Sequence, residues 1–440
     1  MTQVRREEVL KGILTLPALD AHTHVDARHL TARGLHDVLL YHMIVSELYS
    51  GGCPDGERLS EEPDEAEISY RMERALPYLP HIQNTSCFHI CKTILKDLYG
   101  WEAPITSDNW HTLHSIIRER AKDPQWPREI LRRANIRSLS TELWRRGDGS
   151  ADDILQYALE WAFFARCQWG QFDTALLELE VTWDKCETGA PLPVTITEAP
   201  KVSRPIRTVQ DAADAMRHYV ELIPFGEILA VPQSLSTDIR YRIVSDEEMQ
   251  AALDRRGNAG IQERDTYSSY LLELFLVEVE RRNNGGVVQF AVGAEPLPYE
   301  SGSKLRGDTL FDLAAIVSRH QNLKFQVFLA NAPQNQALCT LVRELPNLYA
   351  FGYWWHNFYP GFIAQVMEER LDMIPINKQV GFFTDAYCLD WAYGKAMFIR
   401  GVMADVMTRR VNAGRYTLSQ ALDFCRSLLT DVACDTLGMR

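Results

Sequence analysis

Two histidines one residue apart, His22 and His24 in LPALDAHTHVDARHL (16–30), are the first residues suited to chemistry. The second candidate is Asp385, which closes an apolar run in TDAY (384–387). On a strand, residues i and i+2 project to the same side, so both imidazoles face one way. A lone H-x-H otherwise marks only a polar strand end. Joined by a carboxylate, it offers the ligands of a divalent metal: zinc first, with manganese or iron also accepted by this donor set. His356, after Trp354 and Trp355, is either a third imidazole for that site or a hydrogen-bonded histidine at a strand end. His42 is open between a site residue and a helix-surface residue. Because faces alternate along a strand, at most one of Trp354 and Trp355 can line a pocket. Lys304 and Arg306, in the loop ESGSKLRGD, are candidates to hold an anion, against the reading of a solvated loop. The remaining histidines, His29 and His36 among them, read as surface or packing residues.

Positioning these groups requires that the two ends of the chain meet. Short apolar runs alternate with helical patterns: TLPALDAH (15–22), IRSLS (136–140), TALLELEVT (174–182), GEILAVPQ (226–233), GGVVQFAVG (285–293), LKFQVFLA (323–330), NLYAFGYW (347–354) and KQVGFFTD (378–385). Helix-like stretches such as DDILQYALEWAFFARCQ and FIAQVMEERLDMI lie between them. Eight such units predict an α/β fold, a distorted (β/α)8 TIM barrel, in which the first and last strands are neighbours and active sites lie at the C-terminal end. The competing doubly wound sheet lacks an early G-x-G-x-x-G. Residues 31–135 are helix-like throughout and read as an insertion after strand one, seated over the barrel mouth. This divides the chain into a strand-one region (1–30), the helical insertion (31–135) and the remaining barrel (136–440).

Composition narrows the classes. The 440 residues are 46% apolar and 24% charged, as in a soluble globular chain. A net charge of −13 argues against general nucleic-acid binding, which needs a basic surface. No apolar run approaches the ~20 residues of a membrane helix, and MTQVRREEVLKG lacks a signal-peptide core, so a cytoplasmic protein is expected. Nine cysteines, an odd number, fit a reduced compartment; Cys87 and Cys91 read as helix residues, not as a zinc knuckle.

His22-Thr-His24 on the first strand and Asp385 on the last resemble the amidohydrolase superfamily. Within it, GYWW (352–355), Gly361 with its amphipathic helix, VGFFTD (380–385), VVQFAVGA (287–294) and LYHM (40–43) resemble the uronate isomerases. The resemblance implies a metal held by His22, His24 and Asp385, with Asp385 and His42 at the reacting centre. Departures are as informative. Ala291 stands where the family keeps a strand-five histidine, and Tyr387 stands for the arginine after the strand-eight aspartate. Trp183-Asp184 lacks the strand-three arginine, Val231-Pro232-Gln233 replaces an aspartate-histidine pair, and Met43 replaces a tyrosine. Tyr387 can donate a hydrogen bond there, but without the arginine's charge.

The expected activity is therefore metal-dependent isomerisation, or hydrolysis by a metal-activated water, on a small polar carboxylate such as a sugar acid. Standard glucuronate–fructuronate interconversion is not expected. The alternative is a partner subunit of a hetero-oligomeric, amidohydrolase-fold oxygenase that hydroxylates a small amino acid such as 2-aminoisobutyrate. A homo-oligomer fits the first reading, and assembly with a second amidohydrolase-fold chain fits the alternative.

Overall fold

The computed structural model describes residues 4–60, 62–159, 172–187, 203–236, 239–296, 301–303, 308–353 and 359–440. Helices start where the sequence supplies a cap. Ser245 and Thr417 accept backbone N–H groups three residues on, while Glu248 and Gln420 reach back, opening helices Asp246–Asp254 and Leu418–Arg426. Asn135, in the left-handed region, ends helix Trp126–Ala134 and hands the chain to a strand.

Strands β1 (Ala18–Asp20), β2 (Ile136–Glu142) and β3 (Leu155–Ala158) pair in parallel. A second parallel run comprises β4 (Val231–Leu235), β5 (Val287–Val292), β6 (Lys324–Leu329), β7 (Leu348–Phe351) and β8 (Gln379–Val380). Two seams join these runs. Tyr157 bridges Ile228 in parallel, and the Leu159 amide donates to the Ala230 carbonyl. At the other seam, extended residues beyond β1 and β8 meet: the Asp385 amide donates to the His22 carbonyl at 3.0 Å, and the His24 amide to the Ala386 carbonyl at 2.8 Å. The chain thus forms a (β/α)8 barrel in sequence order, distorted by its very short first and last strands.

Along β5 and β6, Val288, Phe290, Phe325 and Val327 pack into the layer of surrounding helices. The opposite face contributes Val287 and Phe328 to an inner cluster with Leu19, Phe351, Val380 and Phe383. Phe328, Phe351 and Phe383 stack at 4.5–5.3 Å and fill the barrel below the seam. The long helix Leu389–Asn412 is the main outer support. It shares one hydrophobic core with helices Ser86–Tyr99 and Trp126–Ala134, which lie between β1 and β2. Those helices therefore brace the flank of the barrel.

One strand differs from expectation. TALLELEVT lies in a helix, Thr174–Glu187, and the third strand is Leu155–Ala158, inside a stretch that reads as helix. The misleading alternation comes from Glu178 and Glu180, which look like solvent-facing residues but are buried. Glu180 is held by Arg256, with Nη2 at 2.9 Å, and by the Ile206 amide at 2.5 Å. Trp183 and Asp184 therefore do not follow strand three, and the comparison drawn there with the arginine motif falls away. β2 and β3 are also joined without an α-helix, through the 3-10 turn Leu143–Arg145.

Candidate metal centre

The seam hydrogen bonds place the ligand candidates. Thr23 is bonded to β2 through its amide and hydroxyl, at 2.7 and 2.9 Å from the Ser140 carbonyl. His22 and His24 bond the other way, to residues 385 and 386. Their rings lie 5.0 Å apart, and His22 rests edge-on against Phe328 and Phe383 at 5.0 and 5.5 Å. Asp385 closes the group. Its Oδ1 is 3.1 Å from His24 Nε2 and 3.5 Å from His22 Nε2. One ligand atom from each of the three lies within 4.8 Å of the others.

These residues fit a divalent metal. Asp385 Oδ1 is buried and has no aligned hydrogen-bond donor, although two imidazole nitrogens face it. A buried carboxylate oxygen left in that state is costly, and a cation between the three groups removes the cost. Burial opposes the Asp385 charge, but the facing imidazoles and the Lys395 ammonium outweigh it and hold its pKa well below the carboxylate range. Burial also opposes charge on His24, while Glu142 and Asp385 draw its pKa well above the usual histidine value.

Glu142, at the end of β2, completes the arrangement. It meets His24 Nδ1, so that the ring donates to Glu142 and directs Nε2 toward Asp385. Arg145 Nε lies 2.8 Å from the other Glu142 oxygen. Glu142→Gln keeps the shape and removes the charge that orients the ring. We expect zinc affinity to fall roughly 10- to 100-fold, measured by chelator competition; an unchanged affinity would show that Glu142 does not orient His24.

Beside the cluster opens a cavity of about 310 Å³, of a size for a small ligand. Tyr387, stacked on His24 at 4.8 Å, lines it together with His42, whose ring is 5.3 Å from Tyr387. Burial, then the nearby charges of Arg58 and Lys395, keep His42 well below the usual histidine pKa, hence neutral. The wall carries four arginines, Arg28, Arg33, Arg58 and Arg145, against three acids, Asp26, Asp37 and Glu62. Arg28 is paired with Asp26, Arg33 with Asp37 and Glu62, and Arg145 with Glu142.

His42 is thus placed on the wall of this cavity. His29 and His36 line the same cavity, His29 as a partly exposed residue beside Glu62 and His36 as a buried one stacked on His114, in line with their reading as surface and packing residues. Trp354, Trp355, His356, Lys304 and Arg306 lie outside the described residues. Among the described residues the possible ligand set is His22, His24 and Asp385 alone. Ala291 sits on the barrel-facing side of β5, opposite Phe328 in the strand pairing, and offers no ligand there. Sequence reasoning missed Glu142 because strand two was ended at Ser140; the carboxylate two residues further on was the available signal.

No family model matches the chain, and no curated protein does. Solved structures do. A uronate isomerase from Thermotoga maritima aligns over 99% of this chain and 98% of its own, with a TM-score of 0.78 at 14% identity. The chain has the uronate isomerase fold. A glucuronate isomerase from Caulobacter crescentus shares that fold at TM-score 0.77 and 16% identity, covering 99% and 94% of the two chains. A candidate metal-dependent hydrolase from Lactobacillus casei aligns at TM-score 0.62 and 13% identity, over 98% and 97%. The uronate isomerase fold accounts for the run of helices between β1 and β2 as part of one architecture, since the alignments span the whole chain.

Proposed function

We propose that this chain is a metal-dependent enzyme acting on a small polar carboxylate, a sugar acid or a close relative, by isomerisation or hydrolysis. The observation that carries this reading is the convergence of His22, His24 and Asp385 at the seam, next to a cavity rich in arginine. A divalent metal held there, with zinc preferred, supplies a Lewis acid for a hydroxyl, carbonyl or water oxygen. The residues supply the rest. Asp385 stays ionised at neutral pH and can accept a proton through its second oxygen. Tyr387 stands over His24 with a hydroxyl to donate, and neutral His42 can accept or relay a proton at the same wall. Arg58 and Arg145 on the cavity wall are further cations for a substrate carboxylate, alongside Lys304 and Arg306, which keep that role from the sequence.

The structures matched lend no support to the oxygenase-subunit alternative. Among the described residues no helix is long and apolar enough to cross a membrane. Seven described cysteines are free thiols, in keeping with our reading of a reduced, cytoplasmic setting; a homo-oligomer belongs to the same reading.

Zinc-loaded protein should be offered a panel of uronates, aldonates and their lactones, with products followed by NMR. We expect turnover of an acidic substrate that depends on metal, with D-glucuronate converted poorly or not at all. Robust ketose formation from D-glucuronate would show that the lost arginine at position 387 matters less than argued. Absence of any metal-dependent turnover across the panel would sink the substrate class.

A further inference from the structure

Among the described residues, Asp385 is one of two non-glycine residues in the left-handed region, with φ 55°. That conformation costs an L-residue about 1 kcal/mol or more and persists only where surrounding groups hold it. Two groups converge on its peptide from behind the metal centre. Tyr41 Oη donates to the Asp385 carbonyl at 3.0 Å, and Lys395 Nζ donates to the same oxygen at 3.2 Å and to Tyr41 Oη at 3.0 Å. Lys395 is fully buried on helix Leu389–Asn412, and Tyr41 is 5% exposed, its ring stacked on Trp391 at 4.1 Å. A buried ammonium is a poor device for stability, because burial opposes its charge by more than the nearby Asp385 and Asp20 carboxylates return.

We infer that Lys395 and Tyr41 are positioning residues: they lock the Asp385 peptide in the left-handed conformation that turns its carboxylate onto His22 and His24. The inference rests on the metal-site reading above and adds to it the groups that prearrange the site. Neither side chain ligates the metal. Their contribution is that the ligand triad forms before the metal arrives, so that binding does not have to impose the strained backbone.

The experiment titrates metal-free full-length protein with zinc against a chromophoric chelator, alongside thermal unfolding of the same metal-free samples. In Lys395→Met, removal of a buried charge leaves the unfolding midpoint unchanged or higher, while zinc affinity falls roughly 10- to 100-fold. Tyr41→Phe removes one of the two donors and gives a smaller fall. A role of Lys395 through charge alone predicts the opposite sign, because deleting a cation near a metal site raises affinity for the metal. Zinc affinity unchanged or raised in both variants, with wild type binding normally, overturns the positioning role and leaves the metal site standing. Wild type that fails to bind zinc overturns both. If Lys395→Met does not fold, Tyr41→Phe decides alone: weaker binding supports the inference and unchanged binding overturns it.

Discussion

His22→Ala and Asp385→Ala are each expected to yield folded protein that no longer retains a divalent metal. The effect is large because the described ligand set has only three members. Four-ligand zinc sites bind with about 10–16 kcal/mol, so one ligand corresponds to roughly 3 kcal/mol, about a hundred-fold or more in affinity. The two variants fail for different reasons. His22→Ala empties a place against Phe328 and Phe383 but leaves the seam hydrogen bonds, which are made by backbone. Asp385→Ala removes the only carboxylate among the described residues that faces both Nε2 atoms. Elemental analysis of purified protein, followed by zinc titration, reads the outcome. Unchanged metal content in both would mean that the cluster is a hydrogen-bonded seam and nothing more.

Gly352→Ala is expected to be the most damaging single methyl group in the barrel. Gly352 has φ 54°, and a Cβ there would lie 1.8 Å from Phe383 Cε1 and 2.1 Å from Cδ1. Neither side can yield. The Gly352 amide donates to the Val380 carbonyl at 2.6 Å, and Arg370 Nη1 donates to the Gly352 carbonyl at 2.7 Å. Phe383 is wedged among Phe328, Phe351 and His22. Left-handed strain adds about 1–2 kcal/mol to an overpacking cost of about 1–3 kcal/mol, for a loss of roughly 2–5 kcal/mol. Because the ring that must move supports His22, metal affinity falls as well. Gly361→Ala is the control: it lies in helix Pro360–Met373, and a Cβ there meets nothing within 4 Å. Denaturant unfolding should separate the two variants clearly; equal stability would refute the close-approach argument.

The barrel and the meeting of His22, His24 and Asp385 were legible because they rest on local pattern. Apolar runs such as VVQFAV and KFQVFL are buried on both faces and read as strands, and H-x-H sits where the first run ends. Strand three was not legible, since the cue that separates a strand from a helix was counterfeited by buried Glu178 and Glu180, the latter held by Arg256 elsewhere in the chain. Lys395 escaped notice for a related reason. It lies on the same helix face as Trp391 and Ile399, where a charge reads as a surface residue, and its partners Tyr41 and Asp385 come from other elements. His36 reads as packing from sequence and is indeed buried, yet it also faces the cavity, which only the folding of the segment after β1 reveals.

The seam between residues 22–24 and 385–386 also fixes when the site can exist. A growing chain that has emerged only as far as β7 has both imidazoles and Glu142 but not Asp385, and no carbonyl at 386 for the His24 amide. Assembly of the complete triad therefore belongs to the last stage of folding, after the barrel's two ends have found each other. A cation bound there would clamp the first and last strands together, a closure pin added to the backbone hydrogen bonds of the seam and to the Asp20 carboxylate, which accepts from the Thr384 amide and hydroxyl.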